Sequence, residues 1–255
     1  MLSKSTPVSA DPVCVCAQIG CGGAEFCGLG GCATQSPRFR SMKRGDRVPA
    51  RGSGRMRFHV VHSGLVATCA LLPDGRRQIL CLNFPGDVVC SMSAEGAECW
   101  CEALTHSVIC NLDLSANAER LQCDPAFFRV LFRLVHERLE GAAAHLVALG
   151  RFDAMERACG FLAYMTRRTG RQQETCWHTC LPMTREDIAD YLGLNIDTVG
   201  RLLTRIKEAG LARFLSPTEY EVPCLERLEM RVPISLGRGF DGPPHSSTGT
   251  RIAAT

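Results

Sequence analysis

Residues 181–211 contain two short amphipathic helix patterns joined by a turn, and this segment constrains the fold more than any other. Thr184 can cap the first helix, and Gly193 stands where the chain must turn. Apolar spacing predicts the two buried faces, which comprise Ile188, Ala189 and Leu192, then Val199, Leu202, Leu203 and Ile206. This order predicts a helix-turn-helix; an ordinary helix pair with a solvated outer face is the plainer alternative.

The outward face of the second helix carries polar groups that can reach base edges or phosphates. These are Asp197, Thr198, Arg201 and Arg205. Two strand-like runs follow, at 211–215 and 220–222, and turn residues separate them. Together these features predict a winged helix-turn-helix that binds double-stranded DNA.

The preceding part of the chain, 37–123, has short apolar runs broken by turn signals. Pro73-Asp74-Gly75 is a strong hairpin signal, and Pro85-Gly86-Asp87 marks another turn. Strands are predicted at 57–61, 65–72, 77–84, 88–92, 98–104 and 107–112. Turns at this spacing predict a small antiparallel barrel or roll, and with the helices predicted further along the chain the fold class is α+β.

A long helix is predicted over 124–150, because apolar residues recur there at helical spacing after Asp124-Pro125. A second helix is predicted over 154–169, with Phe161, Leu162 and Met165 on its apolar side. The long helix can form the seam of a homodimer or pack entirely within its own subunit. Its stripe consists of Phe128, Leu131, Phe132, Val135, Leu139, Ala142, Leu146 and Leu149.

Composition limits the remaining possibilities. The 255 residues carry a formal net charge of only +3, so DNA contact requires a local basic patch. The chain has no apolar run of membrane-spanning length and begins without a secretory signal pattern, which predicts a cytoplasmic protein without membrane partners. Residues 1–36 are predicted to be a flexible cysteine-rich arm, 151–230 the DNA-binding domain, and 231–255 a disordered tail.

The segment TREDIADYLGLNIDTVGRLLTRIKEAGL resembles the C-terminal domain of the CRP/FNR superfamily, in its FNR/FixK-like branch. Upstream, HVVHSGLVATCALLPDGRRQILCLNFPGDVV and EALTHSVICNL resemble the family's cyclic-nucleotide-binding-like β-roll. The resemblance implies a β-roll, a dimerisation helix and a winged helix-turn-helix in that order. It also implies a transcription regulator that works as a homodimer on palindromic DNA half-sites with RNA polymerase as a partner.

A cyclic-nucleotide ligand is not expected. Family members that bind one use a Gly-Glu pair and an arginine that pairs with the phosphate. The corresponding stretch here, 87–101, contains no arginine.

The resemblance instead suggests a [4Fe–4S] cluster, which FNR-type oxygen sensors hold with three N-terminal cysteines and one on the roll. Cys110 falls at the roll position, and the separation of Cys21 from Cys27 matches that of the second and third ligands. Gln18 occupies one slot for the first ligand, so Cys16 is the nearest substitute. The arm also contains Cys14 and Cys32, and zinc binding, thiol redox chemistry or no role remain open for it.

The other cysteines are interpreted differently. Those of the roll alternate with apolar residues and are predicted to lie in the core; they are Cys69, Cys81, Cys90, Cys99 and Cys101. Cys176, His178 and Cys180 resemble zinc ligands, but they are placed in a loop with too few local ligands for a closed site.

The family's recognition helix carries the pattern E-x-x-S-R, and here Asp197, Gly200 and Arg201 match it. The resemblance implies that Arg201 reads guanine and that Asp197 accepts from cytosine amino groups. Gly200 lacks the hydroxyl of the family's serine, which puts the expected TTGAT-like half-site in doubt. Candidate phosphate contacts are Thr184, Arg185 and Arg205, for which a solvated surface position is the plainer alternative.

The sequence offers no nucleophile–base pair and no phosphate loop, so an enzyme is not expected. Oxygen or redox control through the cluster is the leading hypothesis. A cluster-free FixK-like or nitrogen-oxide- or thiol-responsive regulator is the alternative, and a nonspecific architectural DNA binder is a further one.

Overall fold

The computed structural model describes residues 38–49, 57–90, 97–113 and 125–233, which fall in two compact units. The described part of the first unit lies within 38–76 and 82–138, and that of the second comprises 77–81 and 139–233. The predicted arm, 1–36, and the tail beyond residue 233 lie outside the described residues. The domain boundaries given above therefore stay predictions.

Two four-stranded sheets form the roll. One has the order β1 (Arg38–Met42), β8 (Ser107–Asp113), β3 (Arg57–Ser63) and β6 (Val88–Cys90). The other has the order β2 (Arg47–Pro49), β7 (Glu98–Ala103), β4 (Val66–Leu71) and β5 (Arg77–Asn83). The six predicted strands are confirmed as β3 to β8, whereas β1 and β2 were not predicted.

The core of the first unit lies between these sheets. Because successive side chains of a strand point to opposite faces, each strand contributes alternate residues to it. The core cluster contains Met42, Val48, Val61, Val66, Val89, Cys101, Ala103 and Ile109. At the predicted hairpin, Gly75 has a φ of +87°, a conformation that glycine adopts without the steric cost of a Cβ.

Helix α1 (Pro125–Arg151) begins at the predicted Asp124-Pro125 signal. Much of its apolar stripe is exposed: Phe128 is 54% exposed, Phe132 63%, Leu139 64% and Leu146 71%. Leu134 and His145, in contrast, are buried. A helix in water that presents so much apolar surface requires a cover, which favours the dimer seam over packing within one subunit.

The second unit contains the remaining helices and the third sheet. Its helices are α2 (Ala154–Thr169), α3 (Arg185–Leu192), α4 (Ile196–Glu208) and α5 (Leu225–Glu229). The sheet has the order β11 (Arg213–Ser216), β12 (Glu219–Val222), β10 (Cys176–Cys180) and β9 (Arg171–Gln173). Helix α2 matches the predicted range and buries Phe161, Leu162 and Met165 as predicted.

The prediction of a loop around Cys176 and Cys180 is wrong, because these residues belong to strand β10. The strand pairs with β9, and also with β12, where His178 lies opposite Glu221. Sequence periodicity does not reveal such pairing when the partner strand lies more than forty residues further along the chain. No helix in the described part of the chain is long and apolar enough to cross a membrane.

Candidate nucleic-acid interface

Helix α3 is capped at both ends by the predicted residues. Thr184 Oγ1 accepts a hydrogen bond from Asp187 N at 3.1 Å, and Asp187 Oδ2 accepts one from Thr184 N at 3.0 Å. This reciprocal pair is a capping box, with aspartate at the position where glutamate is usual. Gly193 ends the helix in the left-handed conformation. Thr184 is therefore a structural residue whether or not it contacts a phosphate.

Asp187 also pairs with an arginine 110 residues away in sequence, which the sequence did not reveal. Arg77 donates to Asp187 Oδ1 at 2.7 Å and to Asp190 Oδ2 at 2.6 Å, and all three residues belong to the second unit. Burial opposes ionisation of Asp187, but hydrogen bonds from Thr184 and Arg77 hold its pKa below the usual value. Burial raises the pKa of Asp190 in spite of Arg77. One arginine thus pairs with two carboxylates of the first helix of the motif.

Helix α4 follows the turn and buries the predicted stripe. Asn195 is its N-cap, and Asn195 Oδ1 accepts from Thr198 N at 2.8 Å. The four stripe residues Val199, Leu202, Leu203 and Ile206 are all buried. Because α3 also buries Ile188, Ala189 and Leu192, the predicted faces of both helices are confirmed, and the pair forms a helix-turn-helix.

The polar residues proposed to contact DNA lie at the start of α3 and along α4. Arg201 Nε donates to Asp197 O at 3.4 Å, so its guanidinium folds back toward the first turn of α4. The space beside Gly200 is occupied by Arg185, whose terminal nitrogen lies 3.2 Å from where a Cβ would be. Thr184, Arg185, Asp197, Arg201 and Arg205 are exposed, and Thr198 and Gly200 are half-buried. The structure thus brings Arg185 next to α4.

The predicted wing is confirmed as the antiparallel pair β11 and β12. Its anchor is Tyr220, which is fully buried and whose hydroxyl donates to Leu162 O at 2.8 Å. Burial raises the pKa of this phenol above its usual value, so it stays protonated and keeps the hydrogen bond. The wing is therefore fixed to α2.

Cys110, the predicted cluster ligand of the roll, is 2% exposed on β8. It lies opposite Phe39 of β1 and Val60 of β3, whereas its neighbour Ile109 faces the core cluster. By strand alternation Cys110 belongs to the other face of the sheet. The three arm cysteines lie outside the described residues. Of the predicted core cysteines, Cys69 and Cys101 are buried, Cys81 and Cys99 are half-buried, and the side chain of Cys90 is not described.

Comparison with known families agrees with this architecture. The model of the bacterial regulatory proteins of the crp family matches residues 181–211, which is the helix-turn-helix. The model of the cyclic nucleotide-binding domain matches residues 39–122, which is the roll. The nitrogen fixation regulation protein FixK of Rhizobium meliloti is 33% identical, over 72% of this chain and 82% of its own length. The chain belongs to the CRP/FNR superfamily.

Other relatives place it in the FixK-like branch of that superfamily. FixK of Azorhizobium caulinodans is 38% identical over 60% of this chain and 62% of its own length. The solved structure of FixK2 from Bradyrhizobium japonicum superposes with a TM-score of 0.69 at 28% identity, over 78% of this chain and 99% of FixK2. This CRP/FNR chain is accordingly a transcription regulator and not an enzyme.

Proposed function

We propose that this regulator binds double-stranded DNA in the cytoplasm, with α4 as the recognition helix and Arg201 as its principal base-reading residue. The observation that carries the proposal is the exposed polar face of α4, opposite a fully buried stripe in a helix-turn-helix. Arg201 donates in bidentate fashion to guanine, and Asp197 accepts from a cytosine amino group. Arg185 and Arg205 bind phosphates on either side, with Thr184 adding a further contact.

Quantitative binding to a palindrome of TTGAT-like half-sites tests these roles. Arg201→Ala should weaken specific binding by roughly 5- to 150-fold, the equivalent of one bidentate base contact, and should leave scrambled DNA almost unaffected. Arg185→Ala and Arg205→Ala should weaken both sequences alike and lower the salt slope by about 1. If Arg201→Ala weakens both sequences equally, Arg201 binds phosphate and the proposed base reading is wrong.

Lys207 provides a matched control on the same helix. It is exposed and lies six residues after Arg201, about 240° further round the helix. A cation that faces away from the groove makes no base contact, so Lys207→Ala should retain the wild-type preference for the palindrome. Loss of that preference in Lys207→Ala would move the reading face of α4 away from Arg201.

The regulator is proposed to act as a homodimer, with the apolar stripe of α1 as the seam. Two recognition helices then reach successive major grooves about one turn apart, which explains a palindromic site. Leu139→Asp and Leu146→Asp place charges on the exposed stripe and should yield monomers in sedimentation experiments. We further propose that the DNA-bound dimer recruits RNA polymerase.

For the signal, we propose a [4Fe–4S] cluster held by Cys16, Cys21, Cys27 and Cys110. Cys110 suits this role because it lies on the face opposite the core cluster and next to β1, which begins where the arm ends. Cys27 is twelve residues before Phe39, and an extended chain of that length spans about 40 Å, which is long enough to reach Cys110. Thiolates are the usual ligands of such clusters, and when bound the cluster supplies sensitivity to oxygen.

Anaerobic purification followed by iron and sulfide analysis tests the cluster. About four irons per protomer are expected in the wild type, with loss in Cys110→Ala and retention in Cys69→Ala. Cys69 is the matched control, because it is a buried roll cysteine within the other sheet.

A cluster-free regulator is the second candidate, favoured by the high similarity to FixK proteins. It predicts an iron-free protein whose DNA affinity is the same with and without oxygen.

A further inference from the structure

Three side chains of types that bind transition metals meet on one face of the sheet of the second unit. Cys176 and His178 are two residues apart on β10 and so share a face, and Glu221 lies opposite His178 on β12. One ligand atom from each, the Cys176 Sγ, a His178 ring nitrogen and a Glu221 carboxylate oxygen, lies within 4.8 Å of the other two. These residues lie outside the DNA-reading face of α4 and far in sequence from the cysteine-rich arm.

The donor set fits zinc. Thiolate, imidazole and carboxylate bind Zn²⁺ at about 2.0–2.3 Å, so the donor atoms of a tetrahedral site lie about 3.3–3.8 Å apart. The three donor atoms lie within 4.8 Å of one another, and His178 Nε2 lies 3.0 Å from Glu221 Oε1, so their separations are close to those of such a site. Three protein ligands leave a fourth position for water.

The alternative is a structural cluster without a metal, in which Arg213 and His178 alone hold Glu221. His178 Nε2 lies 3.0 Å from Glu221 Oε1, and Arg213 of β11 pairs with Glu221 Oε2. In this network one carboxylate oxygen of Glu221 lacks a hydrogen bond. The Oε2 atom is buried and receives no hydrogen bond of good geometry from the arginine beside it. It also gives no account of Cys176 beside the pair.

A metal ion would explain both the buried Oε2 atom of Glu221 and the position of Cys176 beside it. A dication between the Cys176 thiolate and the Glu221 carboxylate balances their two negative charges, and the neutral His178 ring completes the set. Arg213 is the competing cation at Glu221, and its side chain is 66% exposed, so it can turn into solvent when a metal enters. Arg171, opposite His178 on β9, is likewise exposed.

We propose that Cys176, His178 and Glu221 form a Zn²⁺ site that joins β10 to β12 in the sheet carrying the wing. The site is independent of the iron–sulfur proposal, since it uses none of the arm cysteines and not Cys110. Its consequence is mechanical: metal binding ties the strand that precedes the helix-turn-helix to the second strand of the wing. Zinc therefore stabilises the second unit by binding only its folded form.

The test uses the full-length reduced protein in which all five arm cysteines are changed to serine, so that the arm contributes no thiolate. Titration with Co²⁺ should give one equivalent per protomer, with a thiolate-to-cobalt absorption band, and Zn²⁺ should displace the Co²⁺. Cys176→Ser should abolish the thiolate band, and Glu221→Gln should weaken Co²⁺ binding at least tenfold. Cys180→Ser is the matched control on the same strand and should bind Co²⁺ as before.

Arg213→Ala keeps the test decisive if the Cys176 variant does not fold. Removal of the competing guanidinium should tighten Co²⁺ binding severalfold, because the carboxylate then has one fewer cation to release. Absence of Co²⁺ uptake by the folded arm-serine protein, or a thiolate band that persists in Cys176→Ser, would overturn the site. Equal loss of Co²⁺ binding in Cys176→Ser and Cys180→Ser would also overturn the site.

Discussion

Arg77 is the residue whose removal tests the packing of the helix-turn-helix most directly. It is 18% exposed and donates to two carboxylates, of which Asp187 is 6% exposed and Asp190 21%. The change Arg77→Met keeps most of the aliphatic stem but leaves both carboxylates without their cation. Because Asp187 also belongs to the capping box of α3, the change affects the start of the motif as well.

The expected loss follows from the environment of each carboxylate. Removing one partner of a buried ion pair costs about 3–5 kcal/mol. The cost is reduced here, because Asp187 keeps its hydrogen bonds from Thr184 and Asp190 is partly solvated. We therefore expect Arg77→Met to lower the free energy of unfolding by about 2–3 kcal/mol, or the Tm by about 4–12 °C.

Urea denaturation followed by far-ultraviolet circular dichroism measures this loss, and Arg76→Met is the matched control. Arg76 is the adjacent residue and also pairs with an aspartate, Asp74, but both partners are well exposed. Water screens that pair, so its removal should leave the transition unchanged within error. Equal effects of the two substitutions would refute the reasoning, since the Arg77 pairs are largely buried and the Arg76 pair is exposed.

The same pair predicts a pH dependence. The pKa of Asp187 is lowered in the folded protein, so its contribution is present above the unfolded value of about 3.9 and is lost as pH falls through the folded value. The difference between wild type and Arg77→Met should therefore stay constant from pH 7 to about pH 4 and shrink only as the pH falls below about 3.9. A difference that grows on acidification would contradict the assigned ionisation.

Three further substitutions test separate features. Gly200→Ser should stabilise α4 by about 0.5 kcal/mol in thermal unfolding, since the new Cβ meets only the mobile end of Arg185; destabilisation would show that Arg185 is fixed there. Thr184→Ala should cost about 1 kcal/mol through the lost cap, whereas Thr184→Ser keeps the accepting oxygen and should retain the stability. Burial lowers the pKa of His145, so stability should fall as pH drops below about 6.5, by at most about 1.4 kcal/mol per pH unit. In denaturation at several pH values, His145→Gln should show a flatter profile, and an unchanged slope would remove His145 as its source.

Much of the candidate site was predictable because its signals are local. The N-cap at Thr184, the left-handed Gly193 and the apolar stripe ending at Ile206 each depend on residues within a few positions of one another. Helical periodicity then decides which side chains face outward, and it places Asp197, Arg201 and Arg205 on the outer face. The hairpin at Gly75 was predictable for the same reason, since three consecutive residues are enough to favour the turn.

The tertiary structure alone decided which distant residues meet. Arg77 and Asp187 are 110 positions apart, and Glu221 joins Cys176 and His178 only because β12 pairs with β10 in one register. A strand shifted by one residue would present the opposite set of side chains, and no local pattern fixes that choice. Sequence therefore determined the helix-turn-helix and its reading face, through periodicities shorter than one helix. The ion pair that holds this motif and the proposed zinc ligands beside it arise from strand register and packing, which act across the whole chain.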